Sequence, residues 1–111
     1  MEIKDKQVDG VTVIALMGSI DAMTAPKITE FIQDQIAKGN IKLIADMSGV
    51  DYTSSAGLRV LLGAIKETRS QSGDLRLAGV QPDVRKILNL SGFTNIIKMF
   101  DTLDAAIASY S

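Results

Sequence analysis

The stretch Asp46-Met-Ser-Gly-Val-Asp-Tyr-Thr-Ser-Ser-Ala-Gly-Leu58 gathers the side chains of this chain best placed to do chemistry. It begins where the run Ile41 to Met47, read as a strand, ends. Ser54 and Ser55 follow in what the pattern predicts to be the first turn of a helix. A hydroxyl there has two uses. Bare, it caps the helix by accepting an orphan backbone N–H. Phosphorylated, it carries a charge of about −1.5 to −2 at the positive end of the helix dipole, beside anything resting on that helix. Spacing alone leaves both uses open.

Other chemistries are poorly supplied. The chain has no His and no Cys, which removes Ser-His and Cys-His nucleophilic pairs and any zinc site built on imidazole or thiolate. Ser-Lys pairs and carboxylate chemistry survive that filter, but no motif supports them. Asp46 and Asp51 alone make too small a set of oxygen ligands to predict a metal site. No glycine-rich phosphate loop argues for a nucleotide sensor. The expectation is a binding module rather than an enzyme, with no catalytic residue, cofactor or metal.

With 111 residues, 46% hydrophobic and 23% charged, the chain is expected to form one domain over residues 1–111 with a core of its own. A net charge of −1 with scattered Lys and Arg argues against nucleic-acid or anionic-membrane binding, which needs a concentrated basic face. No apolar run approaches the roughly 18 residues of a membrane span, so direct membrane insertion is not expected. The N-terminus lacks the apolar stretch of a secretory signal. With no cysteine, a cytoplasmic setting is predicted.

The elements that must position the serines follow from periodicity. Ile3 to Val8 and Val11 to Met17 read as strands around an Asp9-Gly10 hairpin turn. After the Gly18-Ser-Ile-Asp21 loop, Thr24 and Pro26 open a helix that buries Ile28, Phe31, Ile32 and Ile36 and stops at Gly39-Asn40. Ile41 to Met47 is the next strand. The second helix turns Leu58, Leu61, Leu62 and Ile65 inward and closes at Gly73. A strand over Leu75–Gly79, a helix from Pro82 to Gly92, a strand over Ile96–Phe100 and a last helix capped by Asp101 or Thr102 complete the order ββαβαβαβα. That order predicts an α/β fold, a mixed, mostly parallel sheet carrying about four packed helices. Asp21 and the Ser54/Ser55 turn both follow strands and are expected to share one edge of the sheet. Met17, Met23, Met47 and Met99 are read as core filler.

At about 100° per residue, the outer side of the second helix carries Ala56, Val60, Gly63 and Glu67, with Gly57 and Ala64 at its margin. A solvated helix back normally carries long polar side chains. This small-residue strip is either covered by neighbouring elements or free for another protein to lie on.

Tyr52-Thr-Ser-Ser-Ala-Gly-Leu-Arg59 after Asp46-Met-Ser-Gly-Val50 resembles the signature of STAS domains, most nearly that of bacterial anti-sigma factor antagonists (anti-anti-sigma factors). Gly18-Ser-Ile-Asp21 resembles their Gly-Glu-Leu-Asp motif, and Leu88-Asn-Leu-Ser-Gly-Phe93 resembles the end of their third helix. The resemblance covers essentially the whole chain. It implies a partner switch. The unphosphorylated antagonist binds an anti-sigma factor that has an ATP-binding, histidine-kinase-like fold and is itself a serine kinase. Phosphorylation ends the complex, and a PPM-type serine phosphatase reverses it. Aligning the family's Asp-Ser-Ser/Thr-Gly-Leu on Gly57-Leu58 implies Ser55 as the phosphoacceptor. Ser54 then stands where Asp is usual and becomes the alternative acceptor, and Ala56 replaces the second hydroxyl. The resemblance implies partner contacts from Ser19 and Asp21 on one loop, Thr53 and Ser54 on the other, and Ala56, Gly57, Arg59, Val60 and Gly63 on the helix. The other role such a module implies is in a stressosome-like complex or a membrane-transporter assembly, using the same surface.

Overall fold

Asp9 and Gly10 adopt φ of 53° and 80°, the paired left-handed conformation of a two-residue hairpin turn. The chain reverses there between strands β1 (Glu2–Val8) and β2 (Val11–Met17), which pair antiparallel from Val8–Val11 to Glu2–Met17. The computed structural model describes residues 1–111. After the hairpin come α1 (Ala25–Ala37), β3 (Lys42–Gly49), α2 (Ser55–Ser70), β4 (Asp74–Ala78), α3 (Pro82–Leu90), a 3-10 turn at Phe93–Asn95, β5 (Met99–Phe100) and α4 (Leu103–Ala108). The five-stranded sheet has the order β1-β2-β3-β4-β5, parallel from β2 onward.

The strands advance in one direction, so crossovers of a single hand lay successive helices on the same face. Alternation within the strands sorts the core accordingly. Ile14, Leu16, Leu43, Ala45, Met47, Leu75 and Leu77 pack in one cluster with Ile28, Ile32 and Ile36 of α1, Leu58, Leu61 and Ile65 of α2, and Val84 and Leu88 of α3. On the other face Val11, Ile44 and Ala78 meet Ala106 of α4, with Phe100, Leu103, Ile107 and Tyr110 around them. The ββαβαβαβα order and the mixed, mostly parallel sheet are as expected from the sequence. The division of the helices, three on one face and α4 alone on the other, follows from the topology.

Polar anchoring holds α4 down. Asp74, at the start of β4, accepts from Arg69 Nε at 2.9 Å and Arg76 Nε at 3.1 Å. Arg76 donates to the Ser109 carbonyl at 2.7 Å and lies over the Tyr110 ring, 3.9 Å from its centroid. The Tyr110 hydroxyl reaches the carbonyls of Leu43 and Asp74, each at 2.8 Å. Desolvation, then the neighbouring Asp74 carboxylate, holds the phenol well above the ordinary tyrosine range.

The structure corrects several local expectations. Thr24 stands at the cap of α1 without a capping bond; its hydroxyl turns back to the Ser19 carbonyl at 3.0 Å. The stop of α2 falls earlier than Gly73, and Ser72 is the residue in the left-handed region, with φ of 67°. Gly73 is needed for another reason: a Cβ there would lie 2.1 Å from the Ile41 carbonyl oxygen. The last strand shrinks to Met99–Phe100, because only these residues find partners, Leu77 and Ala78, on β4. Thr102, of the two cap candidates, accepts from Ala105 N at 3.1 Å and starts α4.

Candidate functional site

The loops after β2 and β3 are zipped together beyond the sheet. Gly18 N donates to Gly49 O at 2.9 Å, Ile20 N to Tyr52 O at 2.9 Å, and Ser54 N back to Ile20 O at 2.8 Å. Ile20 and Thr53 form an isolated parallel bridge. A side-chain clamp adds to this, with Ser19 Oγ donating to Asp51 Oδ1 at 2.9 Å. A register shift between Ala15 and Met17, where β3 carries an extra residue opposite β2, marks where the ladder gives way to the loops. Asp21 and the serine turn therefore do share one edge.

Asp21 organises its own loop. Its Oδ1 accepts from Met23 N at 2.9 Å and from Thr24 N at 3.0 Å, the local side-chain-to-backbone bonding that makes Asp a turn former. Asp46 is turned by the pleat onto the α4 face. There it accepts from Ser48 N at 3.1 Å and Ser48 Oγ at 2.8 Å and lines a concavity of about 290 Å³ with Lys4, Lys6, Val13 and Leu103. Its carboxylate serves its own strand end and does not face α2.

Ser54 is the cap residue of α2, in extended conformation, and Ser55 is the first residue within the helix. Their hydroxyls differ sharply. Ser54 Oγ is buried, makes no cap bond and has no hydrogen-bond partner. Ser55 is exposed. The reading of Ser55 as an ordinary capping serine is thereby corrected, since the cap position belongs to its neighbour. Thr53 and Gly57 are buried. A Cβ on Gly57 would lie 2.2 Å from Thr53 Oγ1 and 2.6 Å from Ile20 Cγ2, so this glycine lets α2 sit directly on the zipped loops.

The outer strip of α2 is narrower than its sequence suggested. Gly57 and Ala64 join the buried side, while Leu62 is only half-buried. Ala56 and Val60 are half-buried and Gly63 is exposed, with nothing within 4 Å of where its Cβ would stand. No element covers the strip. It forms one wall of an open groove of about 350 Å³ against α1, whose far side is Thr29, Ile32 and Gln33. Arg59 and Glu67 stand on its α2 side, and Gln33 donates to the Glu67 carboxylate.

The core-filler reading fails for Met23. Met47 is fully buried, but Met23 is 86% exposed, because it lies in the turn that Asp21 holds and has no core face to point at. Tyr52, on the partner loop, is 49% exposed. Two large apolar side chains thus flank the zipped edge. The sequence signal for Met23 was its place between Asp21 and Thr24, inside a turn rather than an amphipathic run.

A family model described as the STAS domain matches residues 2–106. The chain is a STAS domain. Its relatives include the anti-sigma-B factor antagonist of Listeria monocytogenes, 33% identical over 99 residues that cover 89% of this chain and 86% of that protein. A candidate anti-sigma factor antagonist of Bordetella bronchiseptica, BtrV, is 32% identical over 110 residues, covering 99% and 95%. An anti-sigma factor antagonist from Mycobacterium paratuberculosis has a crystal structure that superposes with a TM-score of 0.89 at 27% identity, covering 97% of this STAS domain and 92% of that chain. No helix of the STAS domain is long and apolar enough to cross a membrane.

Proposed function

We propose that this STAS domain is an anti-sigma factor antagonist of the cytoplasm, a docking protein without catalytic activity of its own, switched by phosphorylation of Ser55. The observation that carries the reading is the contrast between the two serines. A kinase must reach a hydroxyl, and Ser55 is exposed at the start of α2 while the hydroxyl of the alternative, Ser54, is buried. The relatives' shared name supports the class of partner.

In the bare state, the zipped loops and the outer strip of α2 meet an anti-sigma factor with a kinase-like, ATP-binding fold, and the sigma factor is released. Ser19, Asp21, Ala56, Arg59, Val60 and Gly63 border that contact. Thr53 and Gly57 shape it from beneath. The partner then transfers the terminal phosphoryl group of ATP to Ser55 Oγ, leaving ADP and the hydroxyl proton. A PPM-type phosphatase returns the serine by hydrolysis, releasing inorganic phosphate. The added charge sits at the positive end of α2, where the free domain tolerates it. In a complex it must be desolvated near Asp21 and Asp51. A penalty of ~3 kcal/mol weakens binding on the order of 100-fold.

The test is to mix the purified domain with kinase-like anti-sigma factors of its own genome, with and without ATP and Mg²⁺. The expected outcome is a complex that ATP dissolves, phosphate on Ser55, a Ser55→Ala variant that stays bound, and a Ser55→Asp variant that binds about 100-fold more weakly. Phosphate found only outside Thr53–Ser55, or Ser55→Asp binding as tightly as the native domain, would overturn the reading. Recovery of transporter or stressosome components without a kinase-like partner would point to the other role of the fold.

A further inference from the structure

We propose that Arg59 is the internal counter-ion of the Ser55 phosphate, so that modification withdraws a cation from the docking groove as well as adding an anion. The inference rests on Ser55 being the phosphoacceptor and deepens that reading. Ser55 is the first residue of α2 and Arg59 follows four residues later, both exposed. Residues four apart on a helix are neighbours, about 5–6 Å between Cβ atoms, and an anion N-terminal to its cation is the favourable orientation.

Arg59 is free to respond. The ion pairs of the domain are Lys4–Glu2, Arg69–Asp74, Arg76–Asp74 and Arg85–Asp101, so Arg59 belongs to none. The carboxylate on its own groove, Glu67, is engaged by Gln33. On the loop side, Asp21 and Asp51 present negative charge and are already hydrogen-bonded within their loops. A phosphate on Ser55 is therefore repelled from the loops and drawn along the helix toward a guanidinium, whose fork matches phosphate oxygens with two parallel bonds. In the bare domain the same guanidinium stands on the lip of the α1–α2 groove, open to a carboxylate of the partner. Phosphorylation closes that option.

The experiment installs phosphoserine at position 55 by genetic encoding, which needs no kinase, and follows the second ionisation of the phosphate by ³¹P NMR at low ionic strength. Native Arg59 is expected to raise the second acid dissociation constant at least about threefold over Arg59→Gln, with Arg59→Lys in between, because a lysine keeps the charge and loses the fork. The Arg59 side-chain Nε–H resonance is expected to shift when phosphoserine replaces serine. Titration curves that differ by less than threefold between native and Arg59→Gln would overturn the proposal. Arg59 is a surface residue, so both variants fold. The outcome is separable from the phosphoacceptor reading: curves can coincide while a kinase still modifies Ser55, and a pair can form in a domain that no kinase modifies.

Discussion

At the scale of single residues, two glycines on α2 have opposite reasons to exist. Gly57 faces Ile20 and Thr53 at distances no Cβ can occupy, whereas Gly63 faces open space. Gly57→Ala must push α2 off the zipped loops, an overpacking expected to cost about 1–3 kcal/mol. Gly63→Ala removes only backbone entropy and is expected to stabilise the domain by up to about 1 kcal/mol. Thermal or urea unfolding of the two variants checks both signs. If the groove beside Gly63 is a docking surface, a Gly63→Leu variant is expected to keep its stability and lose affinity for the anti-sigma factor, a split that calorimetry and binding measured on the same sample would reveal.

At the scale of elements, α4 depends on its anchor more than on its length. Six residues form too short a helix to persist alone, and its apolar contacts cluster about Val11, Ile44 and Ala78. Asp74, Arg76 and Tyr110 supply the remainder. Because the folded state holds the Tyr110 phenol protonated above its ordinary value of about 10, linkage gives a definite sign. The unfolded chain releases that proton first, so this contribution to stability is complete below about pH 10 and is lost as pH rises past it. Denaturant unfolding between pH 9 and pH 11 is expected to show a steeper alkaline loss for the native domain than for Tyr110→Phe, whose stability at neutral pH should fall by about 1 kcal/mol for the lost hydroxyl bond. Comparing the variants cancels the lysines that titrate in the same range.

At the scale of the whole molecule, the proposed switch is a change of charge on an unchanged fold. Ser55 is exposed at the start of α2, outside the packing that buries Thr53 and Gly57. Phosphoserine at position 55 is therefore expected to move amide resonances in the 18–24 loop, the 50–55 loop and the first two turns of α2, and to leave β4, β5 and α4 unmoved. A spectrum that changes across the whole sheet would mean that the phosphate acts by rearranging the fold. A fold held by one continuous core from α1 to α3 gives a local charge little leverage over distant elements, so in the proposed switch the partner, rather than the domain, registers the difference.

Much of this was legible in the amino-acid order alone. Alternation and helical spacing specify the ββαβαβαβα series, and Asp9-Gly10, Gly39 and Gly92 punctuate it, because these signals are local and each residue carries its own. The convergence of the Gly18–Asp21 loop with the serine turn followed from the rule that parallel strands end on one edge. What lay beyond reach was decided by distance. Which of two adjacent serines keeps an accessible hydroxyl depends on how the two loops close over the start of α2, leaving Ser54 Oγ buried and Ser55 exposed. Whether Gly57 or Gly63 tolerates a side chain depends on what sits opposite across the fold. Met23 is outside because Asp21 holds its turn away from any core face. Asp74 is inside, paired with Arg69 and Arg76, because its backbone carbonyl lies under the Tyr110 hydroxyl that follows α4. Periodicity reports which face of an element is apolar; only packing between elements decides which atoms on that face water can still touch.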